Sequence, residues 1–452
     1  MSPSKKLLRY LLFALALAVA LLLSRLASFQ LGQMETADSA LSDLLLYGWA
    51  GYIGSFIFAI VIDAYRDRKI IQFGIERQLP HSMALGVSAD VQFTIENPYP
   101  FDIELNLTDS YPVQVEAPNL PLSLELAANS KKMAHYEIIP VKRGDALFGS
   151  TCVRVFSRWG FWERQLWFGE SDTAKVYPNY SAVSHLAKFG FERQIAHLGV
   201  HIQQRRGEGS DFHQLREFRE GDAMRQIDWK ASARYRKPIS RDYQDERDQN
   251  VVFLLDCGRQ LRNQDDRFSH FDHALNALLL TAYIALRQGD AVGLMSFAGD
   301  ERWLSPKKGS FIVNQLLNQL YDLQSTTATS DYLQAAEQLL SRYLKRSLVV
   351  LITNIQESAS EDLIAAVKLL QKKHVVLVAS LRNGFLDEFA DTPITQFGEA
   401  LDYCETAGFL QRRERQLKQL RSSGVTLTDT LPKFLHIGLV NEYLKIKRSG
   451  RL

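Results

Sequence analysis

Two apolar stretches near the N-terminus constrain this chain more than anything that follows them. Leu7 to Leu23 is apolar apart from Arg9 and Tyr10 near its start, and Leu44 to Ile62 carries no charge. Each approaches the roughly 20 residues that a membrane-crossing helix needs. No small-x-small cleavage site follows the first, so an anchor is expected rather than a removable leader. Lys5 and Lys6 precede the first stretch, and Arg66, Arg68 and Lys69 follow the second. The connecting loop sets only Arg25 against Glu35, Asp38 and Asp43. Basic residues stay on the cytoplasmic side, which predicts a hairpin with both ends in the cytoplasm. Gly48, Gly51, Gly54 and Ser55 allow the second span to pack closely on the alanines of the first. Neither span has a central ionisable residue, which argues against a transport path.

The rest of the chain is globular and divides into further domains, because 452 residues exceed one ordinary core. With 53 basic against 51 acidic side chains the net charge is +2, and no global field invites nucleic acid. Cys152, Cys257 and Cys404 are odd in number and far apart. A disulfide framework and a zinc site are not expected, and a reducing compartment is.

From Ile70 to about Tyr177 the hydrophobic period is two. Val91, Phe93 and Ile95 share one face of a strand, as do Ile103, Leu105 and Leu107. Turn signals at Asn97-Pro98, Asn119 and Gly144-Asp145 complete the pattern of a small antiparallel β-sandwich. Trp159, Phe161, Trp162, Trp167 and Phe168 read as cross-strand core and edge packing rather than as a ligand platform.

Beyond Val251 the pattern changes again. Apolar runs at 251–256, 291–297, 347–354 and 374–381 alternate with amphipathic helices. Such runs read as buried parallel strands, and the alternation predicts an α/β doubly wound sheet. The expected division is a transmembrane hairpin over 1–69 (spans 7–23 and 44–62), a β-sandwich-like domain over 70–180, a linking segment over 181–250 and the α/β domain over 251–452. Neither a dinucleotide-binding GxGxxG after the first strand nor a P-loop is present.

Ligands of such sheets bind at the carboxyl ends of the strands. There the sequence places "DCGRQL" from Asp256, "TTATSD" from Thr326 and the strand-ending Asn354. This order resembles the von Willebrand factor A fold, in which an Asp-x-Ser-x-Ser loop, a threonine and a distant aspartate hold a divalent cation. The resemblance implies Asp256, Thr329 and Asn354 as the positions for Mg²⁺. Gly258 and Gln260 replace the two serines, and Asn354 replaces the second aspartate. Hard cations need several oxygen ligands, so no tight Mg²⁺ site and no other cofactor is expected.

The segment "EGDAMRQIDWKASARYRKPISRDY", Glu220 to Tyr243, is dense in both charges. Its arginines and lysines are nearly cancelled by Glu217, Glu220, Asp222, Asp228, Asp242, Asp245 and Glu246, which argues against phosphate-backbone binding. Asp222 followed by Asp228-x-Lys230 is similar to the carboxylates and lysine of metal-dependent nucleases, with no preceding strand pattern to support it. Ser232 lacks the context of a nucleophile, and His270 and His273 read as surface or capping residues. The remaining reading is a charge-paired segment fixed by arginine–carboxylate pairs around a buried Trp229.

The run "SDFHQLREFREGDAMRQIDWKASAR", continuing to "QDERDQNVVFLLD", resembles the signature of the bacterial "domain of unknown function fifty-eight" family. The closing "NEYLKIKRSGRL" resembles the family's end. The resemblance carries the motif onto Arg216, Gly221, Asp222, Arg225, Ile227, Trp229, Ala233, Arg234 and Glu246, with no catalytic role attached. It implies a multi-pass protein of the bacterial inner membrane with the bulk of the chain in the cytoplasm. That protein would be an adaptor partnered with a MoxR-type AAA+ ATPase in chaperone-like assembly. The alternative is a hydrolase using Asp222, Asp228 and Lys230.

Overall fold

The computed structural model describes residues 2–30, 36–67, 73–181, 183, 211–219, 224–244, 249–355, 360–390, 393–394 and 396–450. Internal contacts divide the chain into two units. One is Met1–Met83 with Ser88–Lys175, and the other is Ala84–Val87 with Val176–Leu452.

The first unit begins with a two-residue strand, β1 (Ser2–Pro3), which leads into helix α1 (Lys5–Gln30), and α2 (Thr36–Asp67) follows. Within them Lys5–Leu23 and Leu46–Arg66, of 19 and 21 residues, are long and apolar enough to cross a membrane. Only 11% and 6% of these stretches is buried, whereas a core helix would be covered by its neighbours. By length, composition and exposure this pair supplies two candidate membrane spans.

The remaining strands of this unit are β2 (Gly74–Gln78), β3 (Ser82–Ala84), β4 (Ala89–Glu96), β5 (Ile103–Asp109), β6 (Val115–Glu116), β7 (Leu122–Leu126), β8 (Lys131–Pro140), β9 (Gly144–Phe148), β10 (Thr151–Phe156), β11 (Trp162–Phe168) and β12 (Asp172–Tyr177). They form sheets in the orders β1-β11-β10-β5-β7, β2-β4-β8-β6 and β3-β12-β9. The predicted alternation is realised: Val91, Phe93, Ile95, Leu105 and Leu107 are all fully buried. One carboxylate ties two of the sheets together, and its arginine partner reaches the third. Asp109, at the end of β5, accepts from Arg77 of β2 at 2.8 Å, Tyr136 of β8 at 2.7 Å and Thr151 of β10 at 2.9 Å. Arg77 also reaches Asp172 of β12 at 2.8 Å. Burial, together with the Asp109 charge, pushes the Tyr136 hydroxyl well above its ordinary range.

The second unit opens with a hairpin of β13 (Asp211–Glu217) and β14 (Ile239–Gln244), with a short helix, α3 (Trp229–Tyr235), in its connection. The chain then alternates. β15 (Asn250–Asp256), α4 (His270–Arg287), β16 (Ala291–Phe297), β17 (Trp303–Lys307), α5 (Phe311–Leu320) and α6 (Tyr332–Arg342) come first. β18 (Leu348–Thr353), α7 (Ser360–Gln371), β19 (Val375–Leu381), α8 (Gly384–Ala390), α9 (Phe397–Ser422), β20 (Thr426–Thr430) and α10 (Leu435–Arg448) follow. The sheet order is β17-β16-β15-β18-β19-β20, parallel except for β17. Both faces are covered, as parallel sheets require. Val251, Phe253 and Leu255 pack in one cluster with α4, α5 and α10, while Val252 and Leu254 pack in the other with α6, α7 and α9.

The antiparallel edge strand β17 is not legible in the sequence. Pro306 sits inside it, and its register against β16 shifts between Val292 and Leu294. Gly293 permits the approach, since a Cβ there would lie 2.7 Å from the Leu304 carbonyl oxygen and 2.9 Å from Pro306. The hairpin β13–β14 also departs from expectation, because strands do flank the charged segment.

Candidate functional site

Two places in the second unit concentrate polar groups. The first lies where the strand order reverses between β15 and β18, the position at which open α/β sheets present ligand-binding loops. Asp256 ends β15 and is fully buried. Its Oδ1 accepts from the Gly258 N–H at 2.8 Å and from Ser330 Oγ at 2.6 Å. Its Oδ2 accepts from Thr353 Oγ1 at 2.6 Å and from the Tyr332 hydroxyl at 3.2 Å. Thr353 ends β18, and Ser330 and Tyr332 flank Asp331, which caps α6 through the Gln334 N–H at 2.9 Å. Three elements thus meet on one carboxylate. Burial raises the Asp256 pKa, and the donors, Ser330 first, oppose that shift.

Gly258 is essential to this geometry for reasons of space. A Cβ there would lie 2.3 Å from Ser330 Oγ and 3.0 Å from Asp256 Oδ1. A serine at 258 would occupy the volume that the Ser330 hydroxyl now fills. The flanking loops are knitted by Arg259 N–H to the Ala328 carbonyl at 3.0 Å and by Thr326 Oγ1 to the Ala298 carbonyl at 2.6 Å. Thr329 is exposed, and its neighbour Ser330 reaches the carboxylate. Asn354 is buried, with Nδ2 3.5 Å from the Gln260 carbonyl. Gln260 is buried too, and among the described residues neither of its amide atoms finds a partner.

A carboxylate has about four acceptor positions, and here four donors fill them. Among the described residues no three His, Cys, Asp or Glu side chains are grouped to hold a metal ion. As arranged, the residues do not fit a resident Mg²⁺, which needs several free oxygen ligands. Titration of the full chain with Mg²⁺ or Mn²⁺ is expected to show no saturation below the millimolar range. Tighter binding that disappears in Asp256→Ala would contradict this.

The second place is the charged segment. Asp228 precedes α3 and caps it, Oδ1 accepting from the Lys230 and Ala231 N–H groups at 3.0 Å each. Its Oδ2 accepts from Arg241 Nε of β14 at 2.9 Å. The Ala231 N–H, then Arg241, holds the Asp228 carboxyl below its usual range. Ser232 Oγ accepts from the Ile239 N–H at 2.8 Å, so this hydroxyl is engaged by the backbone. Arg236 ends the helix in the left-handed conformation, with φ 53°. The described part of the segment is pinned by Asp228, which pairs with Arg241, while its second expected carboxylate, Asp222, lies outside the described residues.

Trp229 corrects the expectation of a buried anchor. It is 73% exposed, because Asp228 and Ser232 fix the helix and leave its outer face open. Met224 and Tyr235 are also exposed. Lys230, Ala233 and Arg234 are exposed, while Arg216 and Ile227 are half-buried. Gly221, Asp222 and Glu246 lie outside the described residues, as does the Arg225 side chain. A hydrolytic role for Asp228 would first require it to release both the helix cap and Arg241. His270 is another correction: it is wholly buried, 3.0 Å from Asp265, and burial lowers its pKa.

Comparison with known proteins bears on the same region. Residues 214–387 match the family model described as "Protein of unknown function DUF58". The chain is 23% identical over 255 residues to the uncharacterized protein YeaD of Bacillus subtilis (strain 168), covering 56% of this chain and 60% of that protein. Among solved structures, an aerotolerance-related membrane protein from Bacteroides fragilis NCTC 9343 aligns at 20% identity with a TM-score of 0.22, over 29% of this chain and 67% of that one. A fragment of alpha-2-macroglobulin from Escherichia coli aligns at 17% identity with a TM-score of 0.20, over 23% of this chain and 16% of that one. The family match takes in the α3 hairpin, the Asp256 cluster and the strands on either side of it. Over residues 214–387 the chain is similar to the DUF58 family of proteins of unknown function.

Proposed function

We propose that this is a membrane-anchored, cytoplasm-facing scaffold that binds proteins, and that its partner is an AAA+ ATPase of the MoxR type engaged in assembly or remodelling. One observation carries the reading. The family signature builds a short, rigidly pinned helix and then leaves its tryptophan 73% exposed. A large aromatic presented outside the core by a fixed helix is the kind of residue that dominates protein interfaces. The strand order of the sheet, with its antiparallel edge, supports the likeness to the von Willebrand factor A fold. Placement on the cytoplasmic face of the inner membrane rests on Lys5, Lys6 and Arg66 flanking the spans.

The test is recovery of an AAA+ ATPase with the full-length chain from intact membranes, followed by binding of the purified pair. Trp229→Ala should weaken that binding by about 30-fold or more, the loss expected of a hot-spot aromatic. The unfolding midpoint should not move. Failure to recover any AAA+ ATPase would sink the partner, and unchanged binding in the variant would sink the Trp229 face.

A further inference from the structure

The turn between β10 and β11 lies within the first unit, where both apolar helices meet it. Ser157 and Gly160 are buried there, while Arg158 and Trp159 are exposed. The N-terminal end of α1 is tied to this turn. Ser2 and Pro3 pair with Glu163 and Trp162, the Ser4 N–H donates to the Phe161 carbonyl at 2.9 Å, and the Ser4 hydroxyl donates to the Gly160 carbonyl. The C-terminal end of α2 is tied to it as well. Asp63, 2% exposed, accepts from Ser157 Oγ at 2.6 Å and from the Trp159 N–H at 3.3 Å. Trp162 Nε1 donates to the Ile60 carbonyl at 3.1 Å.

The apolar side chains of the turn continue into the spans. Phe161 packs edge-on against Tyr10 of α1 at 6.3 Å and Phe56 of α2 at 5.5 Å, and Trp159 packs against Phe161 at 6.4 Å. Tyr10 lies five residues past Lys5, which at 1.5 Å per residue is about 7.5 Å into the span. A group in contact with it lies at the depth where tryptophan and tyrosine collect, between headgroups and acyl chains. Trp159 remains 46% exposed on the protein. Lys5, Lys6, Arg9, Arg66 and Arg158 are exposed around the turn; of the carboxylates beside it, Asp63 is buried against the turn and Glu163 accepts from the Ser2 hydroxyl.

We infer that the 157–162 turn is a lipid-binding element that inserts Trp159 and Phe161 into the interfacial layer of the bilayer, with the surrounding cations on lipid phosphates. The Asp63–Ser157 bond holds the turn at that depth. The first unit is then seated on the membrane by three insertions, two of them spanning and one interfacial.

The chain has six tryptophans, so one can be retained and five replaced by phenylalanine. Full-length variants retaining Trp159, Trp49 or Trp303 are reconstituted into vesicles of phosphatidylcholine and phosphatidylglycerol containing shallowly brominated phosphatidylcholine. Trp159 emission should be quenched as strongly as that of Trp49 in the second span, and Trp303 should not be quenched. Quenching of Trp159 no stronger than that of Trp303 overturns the inference and places the turn clear of lipid. Oxidative footprinting of the unsubstituted chain in the same vesicles, without bromine, gives an independent reading. Trp159 should be protected to the level of Trp49 while Trp229 is oxidised. Equal oxidation of Trp159 and Trp229 overturns it.

Discussion

Asp256→Ala is expected to lower the stability of the second unit by about 3–5 kcal/mol, the range seen when one partner of a fully buried charged network is removed. The substitution removes the acceptor that Ser330, Thr353, Tyr332 and the Gly258 N–H share, and leaves Tyr332 and Thr353 only their bond to each other at 2.9 Å. Calorimetry of the full-length chain in detergent should show the corresponding transition fall by on the order of 10 °C. Asp256→Asn, which keeps the shape and part of the acceptor capacity, should fall by less. The two variants also differ from the wild type in pH response. Burial raises the folded pKa of Asp256, so the folded chain holds this proton at pH values where the unfolded chain has released it. That contribution is full below the unfolded pKa and fades as pH rises through the folded one. Both substitutions should flatten this part of the profile. An unchanged midpoint in the alanine variant would mean that the cluster does not hold β15, β18 and the α6 loop together.

Asp109→Ala is expected to have an effect of similar size in the first unit. It leaves the Arg77 guanidinium, 6% exposed, with only the partly exposed Asp172 as counter-ion, and it strips Tyr136 and Thr151 of their acceptor. Breaking a buried pair from one side costs about 3–5 kcal/mol, more than the pair contributes when whole. The double variant Arg77→Met with Asp109→Leu should recover part of the loss, because it leaves no charge behind. If the single variant were as stable as the wild type, the two sheets joined by Asp109 would owe nothing to this carboxylate. Proteolysis of membranes carrying each variant, followed by the release of fragments from 74–175, provides the measurement.

Most of the scaffold was legible because its strands sit in the two environments that sequence reports best. Fully buried parallel strands appear as unbroken apolar runs, as Val251 to Asp256 does, and half-buried antiparallel strands alternate, as Ala89 to Glu96 does. The apolar spans are legible for the same reason, since lipid leaves no room for polar side chains. The edge strand β17 is hidden because an edge tolerates Pro306 and a single packed face. The β13–β14 hairpin is hidden by its charges, which imitate a solvated loop. In the strand-end cluster Asp256 was legible from its place at the end of a buried run. Ser330 in place of Thr329 was not, because a one-residue choice in a loop follows from where Gly258 leaves space. Tyr332 and Thr353 carried no signal at all, as a helix-start tyrosine and a strand-end threonine are ordinary residues until a carboxylate lies between them. The sequence places Trp229 inward because tryptophan usually is buried. Only the capping by Asp228 and the bond from the Ile239 N–H to Ser232 reveal that its helix is held from the other side.

The short edge strand β17 has a consequence for chains confined to a surface. Anchored molecules diffuse in two dimensions, so neighbouring copies meet far more often than they would in bulk solution. An open sheet edge then becomes a template on which a second copy can add a strand. In β17 the ring of Pro306 is turned toward Gly293 of β16, so the outer edge is guarded instead by the shortness of the strand, five residues, and by the exposed charge of Lys307. A second strand added there would have to cover that ammonium for few hydrogen bonds in return, which disfavours growth of the sheet on that side.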